Sequence, residues 1–225
     1  MQPRSLRVVT FQAVGPDSAF DAALRSDVLP ELVAQPDVVD AWPGRRGTGD
    51  GSHVIVSTWA DGWSGDPAHA PDLALLRGPN LAPLGGVEIV SVEQLEIAVH
   101  AGFSRPEPAR VLRVFHGTAR PGELGDYVEE ARAGMTEDSR VNDGLVSFVL
   151  AHDGVDRFIS ASTWTSWAAI ESATGGNTRN PAATRNSQRL EAFGVVHLEL
   201  LPETPVRAGL EHEDHAPGRT LEPAT

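Results

Sequence analysis

Short apolar runs broken at glycine and proline organise most of the chain. Arg7 to Val14 (RVVTFQAV) is rich in β-branched and apolar residues and stops at Gly15-Pro16, which predicts a strand ended by a turn. Phe20, Leu24, Val28 and Leu32 then recur every four residues, the spacing of one helix face, behind a capping Asp17, and Pro30 is expected to kink or end that helix early. Val38 to Arg46 and Ser52 to Trp59 read as strands joined through the glycines of 47–51 as a hairpin. From Ala60 to Pro83 breakers are too frequent for a long helix, leaving room for a short one at Leu73 to Arg77, and Val87 to Ile97 is a further strand.

The order then starts again. After a proline-containing segment at 98–109, Val111 to Thr118 predicts a strand and Gly122 to Gly134 a helix with Leu124, Val128 and Ala131 inward. Leu145 to Ala151 and Arg157 to Trp164 predict a second hairpin across His152-Asp153-Gly154. Ser166 to Ala173 predicts a helix capped by Thr165 or Ser166 and ended by Gly175-Gly176, and Gly194 to Leu201 a last strand. The triplet Ser57-Thr58-Trp59 recurs as Ser162-Thr163-Trp164, and the spacings Phe11 to Phe115, Trp59 to Trp164 and Leu95 to Leu198 are 104, 105 and 103 residues. These anchors predict an α+β chain of two ferredoxin-like β-α-β-β-α-β units. The units span 7–97 and 110–202, with a linker at 98–109 and a disordered tail at 203–225. Each unit would carry a four-stranded antiparallel sheet with helices on one face. The two bare faces would cover each other, sheet to sheet, as an intramolecular dimeric α/β barrel.

Charge and composition narrow the partners. The chain carries 18 basic and 31 acidic residues, a formal charge of −13 that argues against nucleic acid or an anionic membrane surface as a partner. It has no cysteine, which removes disulfides, thiolate nucleophiles and thiolate-held metals. With no secretory h-region and no run of about 18 apolar residues, the expectation is a soluble, cytoplasmic protein. Further self-association of the tandem chain is left open.

The strand ending in Ser-Thr-Trp followed by a capped helix (STWTSWAAIESA), within the repeated element order, resembles the antibiotic biosynthesis monooxygenase superfamily with its dimeric α/β-barrel fold. The resemblance covers Arg7 to Ile97 and Arg110 to Pro202. It implies a pocket between sheet and helices in each unit. Some members use that pocket for cofactor-free oxygenation of phenolic or quinone-like substrates, and others to bind and break heme. The heme-degrading members resemble one another in an Asn on the first strand, a Trp late in the second helix and a His after it. Here those positions align with Phe11 and Phe115, Ala68 and Ala173, and Arg77 and Ala182, so heme breakdown is disfavoured.

Candidate ligand-facing residues follow from this placement. Trp59 and Trp164 end strands at the presumed pocket, where the core is the stronger expectation, and Trp63 and Trp167 follow them. Alternation puts Phe115 and His116 on opposite faces; if Phe115 faces the helices, His116 faces the partner sheet as a buried, hydrogen-bonded histidine rather than a base, and His197 is similar. His69 is expected at the surface. Arg179, Arg185 and Arg189 form a basic island free of acidic residues between Ser172 and Leu190, readable as an anion site or as a solvated helix surface with Arg185 and Arg189 at i,i+4. His212-Glu213-Asp214-His215 lacks further ligands and implies no metal site. Phosphate-loop, dinucleotide and nucleophile-elbow motifs are absent. The function expected is a cofactor-independent monooxygenase-like protein for a small aromatic or polyketide-type molecule, with the second unit holding the better-formed pocket. The alternative is a non-catalytic binding or regulatory module.

Overall fold

The computed structural model describes residues 2–47, 51–60, 70–141, 143–180 and 187–201. Eight antiparallel strands close into one barrel: β1 (Ser5–Ala13), β2 (Val38–Arg45), β3 (Ser52–Trp59), β4 (Val87–Gly102), β5 (Val111–Ala119), β6 (Leu145–His152), β7 (Arg157–Trp164) and β8 (Leu190–Leu200). Around the barrel the order is β1-β3-β2-β8-β5-β7-β6-β4. The first four strands thus occupy one arc, in the order β4-β1-β3-β2, and the last four the other, in the order β8-β5-β7-β6. Two seams join the arcs. The β4–β6 seam pairs Glu96 through Gly102 with His152 through Ser147, whereas β2 meets β8 only at Gly44–Leu200 and Arg45–Glu199.

Strand alternation divides the apolar residues among three cores. Leu6, Val8, Trp42, Val54 and Val56 meet Leu112, Val114, Val149, Ala151 and Ile159 inside the barrel. The outward residues of each arc pack under helices: Val9, Phe11, Ile55 and Trp59 with Phe20, Leu24 and Leu32 in the first, Phe115, Phe158 and Trp164 with Tyr127, Val128 and Ile170 in the second. Among the described residues no helix is long and apolar enough to cross a membrane.

Several expected boundaries move. Pro30 does not end the first helix: α1 (Asp17–Ala23) passes through a π-helical turn (Leu24–Val28) into α2 (Leu29–Val33). The wider turn, in which Leu29 N–H reaches back to the Leu24 carbonyl, comes just where the proline ring would otherwise crowd the carbonyl of Ser26. The short α3 (Pro71–Leu76) starts two residues early, and α4 (Leu124–Val141) runs past Gly134. Strand β4 continues through the first five residues of the expected linker, because Val99 through Gly102 find partners on β6. Helix α5 (Trp167–Ala173) has Ser166 as its cap, its side chain accepting from Ala169 N–H, and ends at Gly175 and Gly176, both at positive φ.

The strand register also corrects one sequence anchor. Arg7 lies opposite Ser57, and Arg113 opposite Ser162, so Arg7 and Arg113 occupy like places in the two arcs. Phe11 then lies opposite His53 and matches Gly117, which lies opposite Phe158; Phe115 lies opposite Ser160 and matches Val9. The 104-residue spacing therefore pairs phenylalanines that are two residues out of step.

Candidate functional site

The recurring Ser-Thr-Trp triplet is a core device. Serine and tryptophan two apart share one strand face, and the Trp59 indole N–H donates to Ser57 Oγ (2.9 Å) as Trp164 N–H does to Ser162 Oγ (2.8 Å). Each buried indole thus carries its own acceptor with it, and both rings lie in the helix-side cores.

In the second arc an aromatic series leads outward from that core. Tyr127 packs on Phe158 with ring centres 4.4 Å apart, Phe158 on Phe115 at 6.0 Å, and Phe115 on Phe193 at 5.4 Å. Phe193 on β8 and Trp167 at the start of α5 are each 45% exposed, so the outer end of the series is open.

Under this rim lies a charge. Arg113, 2% exposed, donates from Nη2 to the carbonyl oxygens of Asn180 (2.5 Å) and Thr178 (3.3 Å), and its guanidinium sits 5.3 Å from the Phe115 ring centre. Among the described residues its buried Nε has no partner and no carboxylate pairs with it. Burial lowers its pKa to about 10, against an opposing contribution from Tyr127.

Directly opposite Arg113 in the β5–β8 register is His197. Its ring lies 5.0 Å from that of Trp167, it hydrogen-bonds the Thr178 backbone, and among the described residues its buried Nε2 has no partner. Burial first, and the Arg113 charge second, lower its pKa to about 4, while the Thr178 bond acts the other way. The unfolded chain binds this proton near 6.5. The contribution to stability is therefore complete above about pH 6.5 and is lost as the pH falls toward 4. His197→Leu should flatten that part of the curve of Tm against pH; a variant curve parallel to the parent's would rule the histidine out as a source of acid lability.

The first arc fills the same place from within. Arg7 Nε donates to Asp72 Oδ2 at 2.5 Å, both side chains being fully buried, and Nη1 donates to Gln94 Oε1 at 3.3 Å. Gln94 lies opposite Arg7 as His197 lies opposite Arg113. Asp72 is carried by α3 and accepts Leu73 N–H as well. Phe11 is core, stacked on His53 and against Phe20. His53 itself bridges the Gly51 carbonyl and Asp21, which also binds Arg45.

Of the other residues singled out by sequence, His116 is only partly buried. Its side chain is 39% exposed and lies 3.6 Å from Glu93, which also binds Arg157. Burial lowers its pKa, with Glu93 raising and Arg157 lowering it. Arg189 belongs to no open basic island: it binds Glu123, just before α4, and Asp126 and Glu130 on that helix, and hydrogen bonds to Glu130 and Glu123 hold it protonated beyond its usual range. Ser187–Arg189 is a single 3-10 turn, and the i,i+4 reading, which needs Arg185, lies partly outside the described residues. Arg179 is exposed, and Trp63, His69, Arg185 and the 203–225 tail lie outside the described residues. Among the described residues no group of three His, Asp or Glu side chains is arranged to hold a metal.

No family model matches the chain, and no curated protein matches it in sequence. Solved structures do match in three dimensions. A candidate monooxygenase from Lactobacillus acidophilus superposes with a TM-score of 0.63 at 8% identity, over 89% of this chain and 95% of that one. A mutant chlorite dismutase from Candidatus Nitrospira defluvii gives 0.55 at 14% identity, over 89% and 92%. The fold is that of the dimeric α/β-barrel proteins. An anthrone oxidase-like protein shares this α/β-barrel likeness, with a TM-score of 0.51 at 12% identity over 87% of this chain and 91% of that one. At these identities the likeness is one of fold.

Proposed function

We propose that the chain is a monooxygenase-like protein that takes a small aromatic or polyketide-type molecule between the second-arc sheet and its helices. It oxygenates that molecule with dioxygen, and no flavin, heme or metal is part of the reading. The observation that carries it is the aromatic series from Tyr127 through Phe158 and Phe115 to the half-exposed Phe193, with Trp167 alongside. A planar substrate can extend such a series at its open end. In this chemistry the substrate, ionised at a hydroxyl, passes an electron to dioxygen, so the ring is oxidised and oxygen reduced. The protein's part is to hold the ring, keep water away and steady the negative charge. The shared fold with a candidate monooxygenase and an anthrone oxidase-like protein supports the reading. The strand order supports a second element of it: two fused ferredoxin-like units, of which the second, with its capped α5 close behind β7, holds the site.

Purified protein should consume oxygen with at least one member of a panel of hydroquinones and anthrones. Phe193→Ala should lower kcat/KM by roughly tenfold or less, the worth of one aromatic contact. No uptake across the panel would overturn catalysis. That outcome would favour the binding-module reading, which draws on Trp164, Phe115, Phe158 and Tyr127 filling the deep part of the same space.

A further inference from the structure

We propose that Arg113 and His197 form the reacting end of the second-arc site: the hydroxyl of a phenol or enol gives its proton to His197 Nε2 while its oxygen is held by Arg113 Nε. This rests on the aromatic-substrate reading above and adds the groups that act on the substrate.

Buried polar atoms without partners are rare in folded proteins, and here two of them belong to residues paired across adjacent strands. Side chains at such positions stand roughly 5 Å apart at Cβ. Arginine Nε–H can only donate. A neutral imidazole carries its proton on one nitrogen and a lone pair on the other, and Nε2, the buried nitrogen without a partner among the described residues, is the one assigned here to receive a proton. An unmatched donor beside an unmatched acceptor calls for one group that accepts and donates. A hydroxyl does both; a carboxylate only accepts, and an ether has no proton to give. On transfer the O–H bond breaks and an Nε2–H bond forms, leaving an imidazolium and an aryl oxide whose charge rests against Arg113. The oxide also offsets the arginine charge that opposes protonation of His197, so the base strengthens as the anion forms.

The first arc is a built-in control. Arg7 occupies the same register, but Asp72 takes its Nε and Gln94 stands where His197 does. There the chain supplies its own acceptors and an amide in place of the imidazole, with the one carboxylate tied up in its ion pair with Arg7, which confines the chemistry to the second arc.

The test uses the full chain and three probes: 2-naphthol, whose neutral and ionised forms have distinct spectra, 2-methoxynaphthalene and 2-naphthoate. Binding is read by tryptophan quenching. The expected result is that 2-naphthol binds at least tenfold tighter than its methyl ether and ionises, when bound, about one unit or more below its free value. Arg113→Gln should abolish the ionisation shift and Arg113→Lys should keep part of it, with circular dichroism checking the fold of each. Should the variants not fold, the three probes on the parent chain still decide. An ether that binds as tightly as the naphthol, an unshifted ionisation, or naphthoate binding tighter than naphthol would each overturn the assignment while leaving aromatic binding intact. Failure of all three probes to bind would overturn the substrate reading with it.

Discussion

Arg7→Gln should lower the stability of the fold by about 3–5 kcal/mol, whereas Arg113→Gln should change it by about 1 kcal/mol or less. The two arginines sit in like places on β1 and β5 and are equally buried, so burial alone predicts equal losses. Their partners differ. Removing Arg7 leaves the fully buried Asp72 carboxylate without its countercharge, in a site too dry to hydrate it. Removing Arg113 gives up two bonds to backbone carbonyls and a contact with Phe115, but also removes a charge whose Nε has no partner. Denaturant midpoints of the two variants measure the difference, and Arg7→Met combined with Asp72→Leu should recover most of the first loss. Equal midpoints would mean that Arg113 has a countercharge after all.

Gly117→Val should cost about 3 kcal/mol, at the upper end for overpacking. A Cβ built on Gly117 falls 2.1 Å from Cζ of Phe158, and that ring is pressed between Tyr127 and Phe115 with nowhere to retreat. In the first arc the matching pair is reversed in size order: Phe11 on the first strand faces His53. Phe158→Ala should therefore rescue Gly117→Val in part, measured again by denaturation. A Gly117→Val chain as stable as the parent would show that the Phe158 ring can move aside.

Periodicity placed the strands and hairpins well because strands with one face inside a barrel and one under helices are apolar on both, as RVVTF and VLRVF are. The capped α5 was equally legible, since Ser166 and Gly175-Gly176 act locally. Long-range facts were not. Nothing local says that Val99 to Gly102 would find β6, or that a π turn would accommodate Pro30. Alternation gives His116 a face but not a depth, and its side chain is 39% exposed. The basic run at 179–189 looked unopposed because Glu123, Asp126 and Glu130, which neutralise Arg189, are some sixty residues away in sequence. The signal for Arg113 is an arginine inside an apolar strand, which Arg7 repeats in the other arc. What sequence could not supply was which of the two had an aspartate.

The β2–β8 seam, only two residue pairs long, is sufficient because both arcs belong to one polypeptide. Two separate subunits clasped so lightly on one side would depend on the other seam to stay together in dilute solution. A covalent tether instead holds the arcs at an effective concentration on the order of millimolar. The tether also releases the arcs from matching each other. In a symmetric homodimer, an aspartate that neutralised one buried arginine would neutralise both; on a single chain, Asp72 can occupy Arg7 while Arg113 keeps its Nε for something else.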